Sequence, residues 1–443
     1  MTATPSPNPA ILKAIESLNY RATVGDVAAQ AGLNVNLAEK GLLTLASQAD
    51  GELQVAETGD IVYQFPRNFR AVLREKDARI RRKETLDKIW RVLFYLIRMS
   101  FGVVLILLIV ASVLAIIALT VAANSGRDDD NGGNISMPTV WFTPDFFWIF
   151  SPNYDRRRPA QQKSELNFLE SIYSFLFGDG NPNADLEDRR WQSIGAVIRQ
   201  HRGAVIAEQI APFLDSIGSV SDQESEQFML PVLTRFDGRP EVTPDGQFVY
   251  HFPSLQTTVS QQERQWLPAF LRESLYQFSK ASSGQITLAA TLGVVLLVLA
   301  LVLTAMTVGA GAGILKAIAF VSLGYSAAYL LIPTIRNFTI KRRNAKILER
   351  NQERELRAKQ LANPTVQPKL AYAEQFAAET VIQQSDLVYS TDRDLTEQEI
   401  ERSTQIDAEW QRRLDGDVDS SNRHPNRSNL TDAEWQRRLE GRE

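Results

Sequence analysis

Four oxygen-bearing side chains alternate along "GDGNPNADLEDRRW": Asp179, Asn181, Asn183 and Asp185, spaced as the ligands of a calcium-binding loop. Such a loop also needs Gly at its sixth position, for the sharp turn, and a bidentate Glu at its twelfth. Here those positions hold Ala184 and Arg190. The stretch therefore reads as a Gly/Pro/Asn turn that caps the following helix, with no metal site assigned. The chain has no cysteine, which excludes disulfides, thiolate zinc sites, cysteine-ligated clusters and thiol nucleophiles. Its three histidines, His201, His251 and His424, are far apart and read as surface or partly packed residues. There is no phosphate-binding loop, dinucleotide fingerprint, nucleophile elbow or His-Glu-x-x-His pair. The chain reads as non-enzymatic, and no cofactor is assigned.

Binding chemistry is more evident near the C-terminus. "DAEWQRRLDG" begins at 407 and "DAEWQRRLEG" at 432, joined by the polar "DGDVDSSNRHPNRSN", which reads as disordered. Thr396/Glu399 and Thr431/Glu434 fit capping boxes. Each short helix would carry a Trp and, four residues on, a Leu on the same face. Trp410, Leu414, Trp435 and Leu439 are the candidate partner-docking residues, because aromatic anchors dominate interface energetics. Self-packing of the tail onto the body is the competing reading.

The elements that would carry this tail begin with uncharged apolar runs. Residues 100–123 contain no charge and are long enough to cross a bilayer core of about 30 Å. A second block is interrupted by "GAGAG" at 309–313 and reads as two spans, 286–308 and 314–333, with Lys316 snorkelling near the break. Residues 70–98 hold ten Lys/Arg against four Asp/Glu, and residues 336–359 nine against three. Both flanks point to the cytoplasmic or equivalent side and to contact with anionic lipid. Three crossings cannot return both ends to one side. Either the aromatic "VWFTPDFFWIFSP" at 140–152 returns the chain as a shallow or re-entrant element, or the second winged domain and the tail lie on the side opposite to that which charge suggests. The duplication favours both winged domains on the cytoplasmic side. "MTATPSPNPA" lacks the basic and apolar regions of a signal peptide, so targeting is expected from the internal segments.

Outside these runs the chain repeats itself. "DGELQVAETGDIVYQFP" from Asp50 and "DGRPEVTPDGQFVYHFP" from Asp237 align without a gap. Asp, Gly, Val, Gly, Val, Tyr, Phe and Pro are identical at 50/237, 51/238, 55/242, 59/246, 62/249, 63/250, 65/252 and 66/253. Each follows a run of three helical patterns, the first including a Thr23/Asp26 capping box and a helix stop at Gly32. Three helices and a hairpin resemble a winged helix-turn-helix. The gain of "GVVL" at both 102 and 293 extends the repeat into the membrane segments. Residues 1–66 carry three basic and seven acidic residues, and 185–253 carry six and eleven. Without cations to replace counterions on phosphates, duplex binding is disfavoured and protein contact is expected.

The expected fold class is mainly α with small β hairpins: two winged-helix-like domains plus about three transmembrane helices. The divisions are winged domain 1–69, basic helical connector 70–99, first span 100–123, aromatic/Gly-rich loop and helix 124–184, and winged domain 185–255. A helical connector 256–285, spans 286–308 and 314–333, a basic then amphipathic helical region 334–385 and a largely disordered tail 386–443 follow.

The paired "VYQFP/VYHFP" hairpins, "SIYSFLFGDGNPN" at 171–183 and "DLVYSTDRDL" at 386–395 resemble a membrane protein family of cyanobacteria and chloroplasts that has no assigned catalytic role. The resemblance runs to about residue 395 and implies a cyanobacterial plasma or thylakoid membrane. Plant relatives sometimes carry an iron–sulfur cluster biosynthesis label, but without cysteine this chain cannot ligate a cluster through thiolates. The reading is an integral membrane scaffold or assembly factor, binding an unidentified membrane protein complex and anionic lipid. The alternatives are a membrane-tethered nucleic-acid-binding regulator, disfavoured by charge, and a transporter or channel subunit, disfavoured by the lack of intramembrane acids and arginines.

Overall fold

A computed structural model describes residues 8–76, 78–124, 167–215, 217–218, 225–259, 267–308 and 313–421. The aromatic stretch 140–152, His424, the Thr431/Glu434 pair, Trp435 and Leu439 lie outside the described residues. The architecture is mainly helical with small, chiefly antiparallel sheets.

The N-terminal module comprises α1 (Pro9–Ser17), β1 (Arg21–Thr23), α2 (Val24–Ala31), α3 (Val35–Gln48), β2 (Glu52–Ala56) and β3 (Ile61–Gln64). The Thr23/Asp26 capping box forms, and Gly32 ends α2 in the left-handed conformation. Strand β3 lies between β1 and β2. Helices α4 (Phe69–Lys76) and α5 (Ala78–Asn124) follow, and then α6 (Phe168–Phe177).

The second module comprises α7 (Leu186–Gln200), β4 (Ala204–Val205), α8 (Ala207–Ile210), α9 (Leu230–Phe236), β5 (Arg239–Val242) and β6 (Phe248–His251). Its sheet order, β4-β6-β5, matches the first. Both modules thus add to the hairpin a third strand that the repeat in the sequence does not reveal. Ala22 faces Tyr63, and Val205 faces Tyr250. Asp50 and Asp237 both adopt positive φ, and the Gly59 and Gly246 turns are closed by the same bonds, to the carbonyls of Ala56 and Thr243. A methyl group on Gly51 would meet the Phe65 ring at 2.6 Å, and one on Gly238 would meet Phe252 at 2.3 Å. The two identical glycines therefore let the two identical phenylalanines lie on the helix–strand corner.

Beyond the second module, β7 (Thr257–Thr258) leads to an irregular stretch over 267–282, where a helical connector was expected. Helix α10 (Ser283–Thr307) and α11 (Gly313–Gln360) come next. Among the described residues, three helical segments are long and apolar enough to cross a membrane: Thr85–Ala123, Ser283–Thr307 and Gly313–Gln360. The first apolar helix starts well before residue 100. The last runs without interruption through Pro333, where the sequence suggested an end, and one turn back Thr334 donates its hydroxyl to the Leu330 carbonyl at 2.8 Å. Helices α5 and α10 run in one direction and α11 returns, since Ala115, Leu303 and Ala319 share one cluster while Leu105, Leu292 and Tyr329 share another. Short α6 packs across their common end, with Ile172 and Leu176 against Leu105 and Phe175 against Tyr329.

The tail is also ordered further than expected. Helix α12 (Gln367–Ala373) covers the second module's sheet, β8 (Thr380–Val381) pairs with β7 in parallel, and β9 (Leu387–Ser390) pairs with β2. Helix α13 (Leu395–Ser421) then includes seven residues of the segment read as disordered linker. It starts on Asp394, whose carboxylate accepts the Thr396 N–H at 2.9 Å, in place of the expected Thr396/Glu399 box. Strand β9 selects the first module for a local reason. Leu53 donates its N–H to the Thr391 hydroxyl and accepts the Thr391 N–H, both at 3.0 Å. The aligned position in β5 is Pro240, which has no N–H to offer an added strand.

Gly51→Ala and Gly238→Ala should each loosen their own hairpin by about 1–3 kcal/mol, the usual cost of overpacking. Amide hydrogen exchange should then quicken over 52–64 in the first variant and over 239–251 in the second, with the other copy unchanged.

Candidate functional site

Asp26 enters the fold as a helix-capping residue, yet its carboxylate does far more than cap. It is 1% exposed. It accepts the Thr23 N–H at 2.9 Å, the Thr258 hydroxyl at 2.9 Å and the Val259 N–H at 3.3 Å. Arg199 of α7 forms an ion pair with it at 2.5 Å. A buried carboxylate is tolerated only when paired and hydrogen-bonded, so this set of partners fixes the two modules against each other. The close approach of α2 and α7 permits it: a Cβ on Gly195 would meet the Ala29 Cα at 2.8 Å. Arg235 adds a cross-module bond to the Gly32 carbonyl at 2.8 Å while lying over the Trp191 ring at 4.2 Å.

A second cluster joins the second module to the long helix α11. Arg354 is 1% exposed. It ion-pairs with Asp215, reaches Glu273 at 2.9 Å and donates to the Leu271 carbonyl at 3.0 Å. Arg350 holds Glu273 through two bonds, at 2.8 and 2.6 Å, and Arg190 of α7 also pairs with Asp215. The hydrogen bond from Arg350 holds the Glu273 carboxyl below the usual carboxylate range, against burial, which pushes it up.

Between these charges, asparagine amides replace the missing helix of the 267–282 stretch. Asn351 brackets residue 273, accepting its N–H and donating to its carbonyl, both at 2.9 Å. Asn344, two turns earlier on α11, does the same for Tyr276 at 2.9 Å. Asn183 does so for Ser274 at 2.8 Å. The extended backbone thus finds partners in side chains where a sheet or helix would have supplied main chain.

The alternating oxygens of the calcium-like turn are committed to the same task. Asp179 accepts the Ser174 hydroxyl and the Lys280 N–H, each at 2.7 Å, and pairs with Arg98 at 3.5 Å. Asn181 accepts the Tyr276 hydroxyl at 2.7 Å, and Asp185 pairs with Arg189 at 3.2 Å without capping α7 through its side chain. Among the described residues no group of three or more His, Asp or Glu side chains is arranged to hold a metal. His201 sits beside Gln209 at 3.0 Å, and burial lowers its pKa. His251 lies 3.4 Å from Glu241 and stacks on Phe376. Buried Lys369 of α12 joins Glu208 at 3.0 Å and Glu226 at 2.6 Å; Tyr250 donates to Glu226 at 2.7 Å, and burial raises its pKa.

Helix α13 contrasts with these clamped parts. Its start is tied down by Gln398, which accepts the Ser390 N–H and donates to the Ser390 carbonyl, both at 2.8 Å. Beyond that, Leu395, Ile400 and Ile406 are exposed and Trp410 is 60% exposed. Ile406, Trp410 and Leu414 recur every four residues on this helix. Trp410 and Leu414 are two of the docking candidates read from the sequence; for Asn344 and Asn351 their seven-residue spacing on one helix is the one clue available there.

No protein-family model and no solved structure matches this chain. A protein of Arabidopsis thaliana described as uncharacterised and chloroplastic is 38% identical over 433 residues, covering 91% of this chain and 81% of the relative. That description names no iron–sulfur role.

Replacing Glu273 by Ala should destabilise the 267–282 segment by about 3–5 kcal/mol, since Arg354 keeps its burial and loses a partner. The depressed carboxyl pKa contributes stability that is complete above the unfolded value of about 4.3 and lost as pH falls through the folded value. Hydrogen exchange at 273–276 should therefore accelerate in acid below about pH 4.3 for the wild type, and Glu273→Gln should lose most of that dependence.

Proposed function

The chain belongs to the family of this chloroplastic plant protein, and on that footing we propose that it is an integral membrane scaffold or assembly factor. Its membrane is a cyanobacterial plasma or thylakoid membrane. The observation that carries the reading is the contrast between a body locked by buried ion pairs and a helix that leaves it with apolar residues uncovered. The body consists of two copies of a winged-helix-like module. The common sheet order, the matched turns and the shared Gly–Phe corners support the duplication. The aligned third helices support it too: Leu42/Met229 and Leu45/Val232 are buried, while Leu43/Leu230 face outward. Helix α3 exposes Leu37 and Leu43 and has a single lysine, which suits protein contact better than phosphate contact.

Topology follows from the same contacts. Arg98 meets Asp179 just after α6, and Arg336 donates to the Ser174 and Phe175 carbonyls at 3.2 and 2.8 Å. The near ends of α5, α10 and α11 therefore share one level, and both modules and the tail lie on that side. Asn124 stands at the far end of α5, whereas α6 lies at the near end. On this reading the first module and α13 share the cytoplasmic or equivalent side.

Protease applied to right-side-out and inverted vesicles should reach both termini in one preparation and neither in the other; cleavage of one alone would refute this arrangement. For docking, Trp410 and Trp435 are the anchors. If the two motifs bind together, linked binding multiplies affinity by about 10²–10⁴. Trp410→Ala or Trp435→Ala should reduce recovery of co-purified membrane proteins in mild detergent, and the double variant should nearly abolish it. Equal recovery by the double variant would return the tail to a self-packing role.

A further inference from the structure

The cations of α11 beyond Arg336 divide into two groups. Farther along the helix, each has a protein carboxylate: Arg350 with Glu273, Arg354 with Glu273 and Asp215, Arg357 with Glu353, and Lys359 with Glu355. Nearer the apolar run, Lys341, Arg342, Arg343 and Lys346 have no carboxylate partner among the described residues, and all four are exposed. No acid occurs in α11 before Glu349. With its three acids all grouped in its distal part, α11 offers these four exposed cations no carboxylate; Arg343 lies only over the Tyr276 ring, at 5.6 Å.

Depth says what that is. Arg336 marks the level where α6 ends and α10 begins. Lys341 to Lys346 lie five to ten residues beyond it, which is about 8–15 Å at 1.5 Å per residue. The headgroup zone extends roughly 5–8 Å beyond each side of the hydrocarbon core, and screening leaves surface charge effective for about another 10 Å. Aromatic and aliphatic neighbours fit this level: Phe338 and Ile335 are exposed, with the Arg342 guanidinium 4.2 Å from the Phe338 ring centroid. The pattern recurs on neighbouring elements. Exposed Lys280 precedes α10, and on α5 exposed Lys88 and Arg91 flank exposed Trp90 seven to ten residues before Arg98. None of these three has a carboxylate partner among the described residues. Tryptophan beside unpaired cations is the composition of a membrane–water boundary.

We propose that Lys341, Arg342, Arg343 and Lys346, with Lys280, Lys88 and Arg91, form a collar that binds the headgroups of anionic lipids on the side of the soluble modules. Arg350, Arg354, Arg357 and Lys359 belong to the protein's internal ion pairs and take no part. The collar rests on the integral-membrane reading and adds a lipid class and a residue assignment to it. It also sets the orientation of the modules, which hang from α11 directly beneath this ring of charge.

The test uses the full chain in neutral detergent, titrated with phosphatidylglycerol or phosphatidylcholine in mixed micelles, with bound lipid measured by native mass spectrometry. The wild type should prefer phosphatidylglycerol, less so as salt rises. Each surface cation contributes about fivefold to anionic-lipid affinity. K341Q/R342Q/K346Q should therefore lower phosphatidylglycerol affinity at least tenfold and leave phosphatidylcholine retention unchanged. K13Q/K40Q/K359Q removes the same charge elsewhere and should behave as wild type. K88Q/R91Q supplies an independent loss on α5, should the triple variant fold poorly. Inorganic phosphate at matched ionic strength should displace no more lipid than chloride does. No lipid preference in the wild type, equal losses in the α11 triple and control variants, or specific displacement by phosphate would overturn the collar. Carbonate washing of membranes separates the two readings: a chain that stays in the membrane without lipid preference loses only the collar, whereas a chain released by carbonate loses the integral reading.

Discussion

Arg354 is the largest fully buried side chain among the described residues, and the way the body is joined to α11 depends on keeping its charge satisfied. Removing a guanidinium from water is strongly unfavourable, and only well-placed carboxylates and carbonyls offset the loss. Asp215, Glu273 and the Leu271 carbonyl provide them from two separate parts of the chain. Because Arg354 lies on the same unbroken helix that carries the apolar span, satisfying it fixes the second module relative to the membrane segment. Arg350 and the two asparagines extend that registration along two turns of α11.

The Asp26 cluster passes the constraint on to the first module. Once α7 is fixed by Arg190 and Asp215, Arg199 on the same helix presents its charge to Asp26. Thr258 and Val259 bring the stretch after the second hairpin to the same carboxylate. The tail then closes the assembly from outside: α12 is anchored by Lys369 between two glutamates, β8 pairs with β7, and β9 completes the first module's sheet. The two modules receive different coverings. Leu53 exposes an outward N–H for a strand, whereas Pro240 has none, so the second module is covered on its face by α12 and the first at its edge by β9.

The charged and amide groups of these clusters bond to one another, while exposed apolar residues remain on α13, α3, α9 and the membrane-length helices and at Ile61, Phe177, Val242 and Leu275. Residues that resemble ligands in the sequence, such as Asp179, Asn181 and Asn183, prove to be hydrogen-bond clamps, which explains why their spacing imitates a calcium loop without its Gly and Glu.

Much of the local structure was legible in the sequence because it depends on neighbours along the chain. The Thr23/Asp26 cap, the Gly32 stop, the two hairpins with their Gly turns and the apolar runs all follow from short-range sterics and hydrophobicity. The helix that carries Trp410 and Leu414 was equally readable from its spacing. Other features required partners far away in sequence. The 267–282 stretch, with ordinary helical composition around Pro268, is irregular, and three asparagine amides supply hydrogen bonds to its backbone. The tail strand 387–390 is ordered because an open edge with a free Leu53 N–H awaits it. Asp26 and Arg354 give no sign of their roles in sequence, since a capping acid and a helical arginine are ordinary until burial removes the water that would otherwise satisfy them. Local sterics decided the elements; desolvation of a few charges, which exists only after the elements meet, decided how they are joined.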